Sequence, residues 1–315
     1  MRNFFGLIRF PNLLMIVFTQ LLMRYAVIIP MLEMNNLKAQ QSTFEFLLLI
    51  ISTVFIAAAG YIINDYFDVK IDRINKPKKV VLDKQINRKI AMIWHFVLTI
   101  LGIFLGFYVS WKADFLSLGF IFPFCSLLLW VYSINYKRQL FTGNLIVSLL
   151  TALVPFIVFL YEIPNFEISS IIINTSMHLS PFLHIFLYIT IFTVFAFLTS
   201  IIREIIKDSE DMEGDKAYGC KTVPIVLGLN KTKILISVLA AIMISILGFI
   251  QYRLMYWEDK ISFFYILIFI QIPLAYLLYY IWKAYEKKQF KKASLITKLI
   301  MLTGILYAFV IYFKF

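Results

Sequence analysis

Apolar runs of about 20 residues recur from one end of this chain to the other, and each is long enough to cross a bilayer as a helix. Nine such runs are readable, at residues 12–32, 45–64, 90–110, 114–133, 144–162, 182–203, 233–252, 261–282 and 295–313. Pro30 and Pro155 fall inside two of them; proline kinks a membrane helix without ending it. The 315 residues are 61% hydrophobic and only 15% charged, whereas a soluble domain sits nearer half apolar and a quarter charged. A soluble helical protein with a large core is therefore excluded. Evenly spaced runs without a low-complexity linker predict an all-α fold, one polytopic membrane domain over residues 1–315 with nine transmembrane helices.

The charges then set an orientation. With the N-terminus inside, 24 of the 30 Lys and Arg residues fall on inner segments. The other six are Arg24, Lys38, Lys112, Arg253, Lys260 and Lys314. That asymmetry predicts a cytoplasmic N-terminus and an external C-terminus. The net charge of +12 is accounted for by topology and anionic headgroups, so nucleic acid is not expected as a partner. No protein partner is evident, and the lipid bilayer is the expected surrounding. Arg2 and Arg9 precede the first run with no small-residue cleavage site, so a retained first span is expected. Cys125 and Cys220 lack metal-ligand spacing and read as ordinary thiols.

Ten of the 18 acids lie in two segments. After the second run stands Asn64-Asp65-Tyr-Phe-Asp68-Val-Lys-Ile-Asp72. After the sixth stands Asp208-Ser-Glu-Asp211-Met-Glu-Gly-Asp215. Both contain Asp-x-x-Asp-x-x-x-Asp. On a helix those offsets place three carboxylates within an arc of about 60°. Glu204 extends the second stripe. Like charges at that spacing repel, so a cation is expected among them. Oxygen ligands without His or Cys select a hard ion such as Mg²⁺, which keeps waters and bridges one or two carboxylates to phosphate oxygens. Asp65, Asp68, Asp208 and Asp211 are the candidate metal ligands; Asp72 and Asp215 complete the catalytic stripes. Two such stripes facing one another would hold a diphosphate. Arg73, Lys76, Lys137, Arg203 and Lys207 stand beside the motifs and suit charge developing on a leaving diphosphate. His95, His178 and His184 lie away from the motifs and are read as incidental.

At these residues the chain resembles the UbiA superfamily of intramembrane prenyltransferases. The first motif continues as Arg73-Ile-Asn75-Lys76-Pro77. The second runs Arg203-Glu204-Ile-Ile-Lys207-Asp208-Ser-Glu210-Asp211-Met-Glu213-Gly214-Asp215, then Gly219, Thr222-Val-Pro224 and Gly228. Tyr132 to Lys137, Gly143-Asn144 and Arg9 to Asn12 resemble further family segments. The second motif looks most like that of geranylgeranylglyceryl-phosphate geranylgeranyltransferases. The departure is Lys78-Lys79 after Pro77, where the family often has Arg-Pro. The resemblance implies a nine-helix bundle around a central cavity capped on the cytoplasmic side, in a bacterial or archaeal plasma membrane. It implies Mg²⁺ and a prenyl diphosphate held by both motifs, with Asn64 among the diphosphate contacts. Asn12, Lys78 and Lys79 fall to the acceptor, which is lipid-like, such as a prenylglyceryl phosphate. An aromatic acceptor is the nearest alternative. A cation transporter is the alternative from another class, disfavoured because transport sites lie near the bilayer midplane and these acids cluster at helix ends.

Overall fold

The computed structural model describes residues 2–77, 80–162, 181–256 and 258–314. Lys78, Lys79 and His178 lie outside the described residues. Among the described residues nine helices are long and apolar enough to span a membrane. They are α1 (Phe10–Met34), α2 (Thr43–Asn75), α3 (Arg88–Lys112), α4 (Leu116–Ile134), α5 (Thr142–Leu160), α6 (Pro181–Glu210), α7 (Leu229–Tyr256), α8 (Lys260–Trp282) and α9 (Lys287–Tyr312). A single Leu82–Ile86 bridge is the one departure towards β-structure among the described residues. The protein is an all-α integral membrane protein.

The chain divides into two compact units, Met1–Tyr136 with Leu153–Thr190, and Lys137–Ala152 with Ile191–Phe315. In the first unit, Ser42 and Glu45 form a reciprocal capping box that starts α2, satisfying donors that a helix end would orphan. The Asn87 side chain accepts from the Lys89 amide to start α3. Helices pack closely where small residues admit a neighbour. Ser52 of α2 donates to the Gly102 carbonyl of α3 at 2.6 Å, and Leu129 of α4 fits against Gly60 of α2. In the second unit the Phe195 ring of α6 occupies the space a side chain at Gly304 of α9 would need.

Both units cross a proline by the same device. A π-helical stretch, Met23–Ile28, precedes Pro30 in α1, and another, Leu267–Gln271, precedes Pro273 in α8. Proline removes a donor and crowds the preceding turn. A locally widened turn relieves both, so each helix continues through.

Arg24, one of the six cations counted off the inner segments, and Lys233 are both buried. Arg24 sits in the π-helical stretch at 2% exposure. It donates to the carbonyls of Gln41 and Ser42, faces the Phe46 ring at 4.5 Å and lies 3.6 Å from Glu162. An unpaired charge there would carry a large desolvation cost. Lys233 of α7 donates to the Trp282 carbonyl at 3.1 Å, where α8 ends with acceptors left over.

Candidate active site

The first acidic motif lies on a helix rather than in a loop. The apolar run ends near residue 64, but α2 continues to Asn75. Backbone hydrogen bonding does not require apolar side chains, and Val69 and Ile71 still have core to bury against. Asp65, Asp68 and Asp72 therefore occupy one uninterrupted helix, as their spacing predicts. Asn64 and Asp68 are buried, Asp68 at 3% exposure. Lys76 follows as the C-terminal cap.

A contact not anticipated from the sequence fixes this stripe. Arg9, in the left-handed region with φ 50°, donates to an Asp65 carboxylate oxygen at 2.7 Å. Its guanidinium also lies over the Tyr61 ring at 5.0 Å. Burial works against the Arg9 charge, but Asp65, Tyr61 and Asp68 outweigh it and hold the guanidinium firmly protonated. The backbone reversal at Arg9 stands just before Phe10-Pro11, where α1 begins. Asn12 lies half-buried in the first turn of α1, its amide bonded to the Arg9 carbonyl at 2.7 Å.

Arg73 is placed elsewhere than on the stripe. It is exposed and pairs with Asp83 at 3.3 Å, while Arg88 holds the same carboxylate at 3.0 Å. Asp83 has φ 65°, so this acid and two cations brace the turn between α2 and α3.

The second motif lies in the other unit. Asp208 is on α6, but Asp211 has φ −97° and ψ 6° and starts a short helix, Met212–Ala217, that holds Asp215. The single straight stripe expected for this motif is therefore kinked. Backbone bonds run through the kink, from the Asp211 amide to the Lys207 carbonyl at 2.9 Å and from the Asp215 amide to the Asp211 carbonyl at 3.2 Å. Ser209 donates back to the Ile205 carbonyl, an interaction that bends helices. Gly219, with φ 69°, reverses the chain where other residues would be strained. The Lys221 amide then reaches the Arg138 carbonyl at 2.8 Å.

Asn144, at the start of α5, donates to Asp208 at 2.8 Å. It is the second positioning contact that sequence reasoning missed, although Gly143-Asn144 resembled a family segment. The cations expected within this stripe are there. Buried Glu204 pairs with Arg203 at 3.1 Å and with Lys207 at 3.0 Å. Lys137 lies in a 3₁₀ turn, Tyr136–Arg138, ahead of α5. The acceptor candidates Lys78 and Lys79 are outside the described residues.

Among the described residues no group of three or more His, Cys, Asp and Glu side chains is placed to cage a metal by itself. The donors each motif does offer are carboxylate oxygens. That suits a hard ion needing one or two carboxylates and completing its shell with water and phosphate.

These features define a class: a polytopic helical membrane protein with two acidic, cation-laced motifs. The chain belongs to the UbiA prenyltransferase family, whose profile matches residues 36–303, and it is a membrane-embedded prenyltransferase. Digeranylgeranylglyceryl phosphate synthase of Methanosphaera stadtmanae is 33% identical over 260 residues, 82% of this chain and 83% of that one. A solved structure concerning digeranylgeranylglyceryl phosphate synthase in membranes superposes with a TM-score of 0.62 at 24% identity, covering 98% of each chain. A UbiA homolog from Archaeoglobus fulgidus bound to DMAPP and Mg²⁺ gives a TM-score of 0.53 at 16% identity, covering 99% of this chain and 100% of that one. At those identities the two structures establish a shared fold. Family membership sets aside the transporter reading.

Proposed function

We propose that this enzyme moves a prenyl group, geranylgeranyl being the leading candidate, from its diphosphate to a prenylglyceryl phosphate. The observation that carries the reading is the Asp65–Asp68 pair on one helix, Asp65 fixed by Arg9 at 2.7 Å. Such carboxylate oxygens on one helix would suit a hard divalent ion that neutralises a diphosphate. The named synthase relative, aligned over 82% of the chain, supports the acceptor class.

In this proposal Asp65 and Asp68, with Asp208 and Asp211, would hold Mg²⁺, as a fold relative is described in complex with Mg²⁺. When bound, the ion supplies Lewis-acid neutralisation of the diphosphate. Arg9 and Asn144 keep one carboxylate of each motif oriented. Asp72 and Asp215 extend the negative stripes, and Asn64, Lys76 and Lys137 contact diphosphate oxygens. Arg203 and Lys207, held beside Glu204, supply positive charge as the allylic carbon–oxygen bond breaks. Arg73 serves the same oxygens if it leaves Asp83. Asn12, Lys78 and Lys79 receive the acceptor phosphate. Apolar helix surface excludes water that would quench an allylic cation.

Purified protein incubated with labelled geranylgeranyl diphosphate and a panel of acceptors tests this. Prenylation of geranylgeranylglyceryl phosphate, abolished by chelation and restored by Mg²⁺, is expected. Efficient prenylation of 4-hydroxybenzoate or a naphthoate, with glyceryl phosphates ignored, overturns the acceptor and leaves the family assignment intact.

The orientation belongs to the same proposal. The basic segments, including both motifs, face the cytoplasm and the C-terminus lies outside, on the positive-inside asymmetry. Cys125 and Cys220 are buried, so engineered thiols can be read against a low background. An impermeant maleimide is expected to reach Lys38→Cys and miss Lys84→Cys in sealed right-side-out vesicles; the reverse pattern refutes this topology.

A further inference from the structure

The hairpin joining α8 to α9 carries a basic and apolar surface outside the two acidic motifs. Lys288, Lys291, Lys292, Leu295 and Leu299 are all exposed. At about 100° per residue they fall within an arc of roughly 100° on α9. Three cations thus run directly into two exposed leucines along one stripe of the helix.

Among the described residues, Lys283, Lys288, Lys291 and Lys292 form no ion pair with a carboxylate. The acid in the turn, Glu286, is occupied in a capping box with Gln289 at the start of α9. Tyr279, Trp282 and Tyr285 are exposed on the same hairpin, the amphipathic aromatics that settle at headgroup level. Lys283 sits over the Tyr279 ring at 4.1 Å and Lys292 faces Tyr280 at 5.2 Å. Underneath, Lys233 fixes the turn, hydrogen-bonded to the Trp282 carbonyl and lying 3.5 Å from the Tyr285 ring.

We propose that this stripe binds an anionic phospholipid of the bilayer, its phosphate on Lys288, Lys291 and Lys292 and one chain along Leu295 and Leu299. Topology alone accounts for lysines on a loop. It does not by itself align three of these lysines on the same stripe of α9 as Leu295 and Leu299. From Lys292 to Leu299 the helix rises about 10 Å, room for the first stretch of an acyl chain. The headgroup meets cations that pair with no carboxylate among the described residues, and near a membrane each such cation is worth about a fivefold gain in affinity.

Native mass spectrometry of the full chain released from nanodiscs tests the assignment. Nanodiscs containing equal phosphatidylglycerol and phosphatidylcholine are the probe. The wild type is expected to retain phosphatidylglycerol in preference to phosphatidylcholine, with the preference shrinking as salt rises. Lys288→Gln, Lys291→Gln and Lys292→Gln together should reduce that retention roughly tenfold or more. Leu295→Ser with Leu299→Ser should reduce it with the lysines intact. Lys112→Gln with Lys260→Gln, at other loops, should leave it unchanged. Equal retention of the two lipids by the wild type, at low and high salt alike, overturns the proposal without needing any variant. Undiminished phosphatidylglycerol retention in the triple variant overturns it as well. Turnover at the acidic motifs is a separate readout, so the two proposals fail independently.

Discussion

The two acidic motifs share one spacing but not one construction. The first rides an uninterrupted helix, α2, and is held from outside that helix by Arg9, 56 residues before Asp65. The second bends at Asp211, and its first carboxylate is held by a neutral amide, Asn144, 64 residues before Asp208. Identical spacing therefore delivers three carboxylates on one stripe in the first case and across a kink in the second. A charged partner offsets part of the first stripe's self-repulsion directly. At the second motif that task falls to Arg203 and Lys207, which sit on Glu204 one turn earlier, while Asn144 orients Asp208 without neutralising it.

The comparison is tested most severely by removing the carboxylate charge from each side. Asp68→Asn and Asp211→Asn are each expected to lower kcat/KM for the prenyl donor at least roughly a hundredfold, or about 2.7 kcal/mol in the barrier. The folded protein should persist, since each change is nearly isosteric. Near-normal turnover in both variants would dismantle the proposal that the two motifs serve one reaction.

Next come the two positioning residues. Arg9→Gln should cost roughly tenfold to thirtyfold in kcat, because Asp65 loses a charged partner at 2.7 Å worth more than a neutral hydrogen bond. Arg9→Lys should recover part of it. Asn144→Ala should cost less, roughly threefold to tenfold, since only a neutral donor is lost. Steady-state kinetics at saturating acceptor would separate kcat from KM. A larger loss at Asn144 than at Arg9 reverses the assigned division between charge and orientation.

A packing change should be felt in stability with little selective effect on either motif. Gly304→Ala places a methyl in the volume of the Phe195 ring. Overpacking of that kind is expected to destabilise by about 1–3 kcal/mol, read as a lower melting temperature in detergent. An unchanged melting temperature would show that Phe195 moves aside at little cost.

The smallest effect is expected at Asp259, between α7 and α8, where Lys314 donates at 2.8 Å. Burial pushes this carboxyl up, but bonds from Lys314 and Ser262 outweigh it and leave it below its ordinary value. A depressed carboxylate stabilises above its unfolded value and loses that contribution as pH falls through the lower, folded one. Acidification below about pH 4 should therefore loosen the α9 terminus by well under 1 kcal/mol, since the pair is partly exposed. Amide exchange at residues 311–314 should rise on acidification beyond its intrinsic pH dependence in the wild type, and less so in Asp259→Asn.

How much of the site was legible varies along the chain for a definite reason. Run lengths of apolar residues located the nine long helices found among the described residues, because hydropathy acts on each segment separately. The same reading stopped α2 near residue 64, eleven residues early, because it registers the end of apolar side chains and not the end of backbone hydrogen bonding. Asp spacing named both motifs and the ion class suited to them. It left unseen that Ser209 and Asp211 bend the second motif, since a kink depends on a few dihedral angles that the spacing does not encode.

By itself, then, the sequence determined the membrane class, the helices and the carboxylates. Each rests on periodicity or charge within a few neighbouring residues, where chain connectivity already sets geometry. The tertiary structure alone decided which partner each charge takes. Arg9 reaches Asp65, Arg24 is drawn inside beside Glu162, Lys233 caps α8 and Asn144 finds Asp208. These pairings span roughly 50 to 140 residues of chain. At such separations only the packing of whole helices brings two side chains within hydrogen-bonding distance, and the desolvation cost of leaving them apart selects the partners.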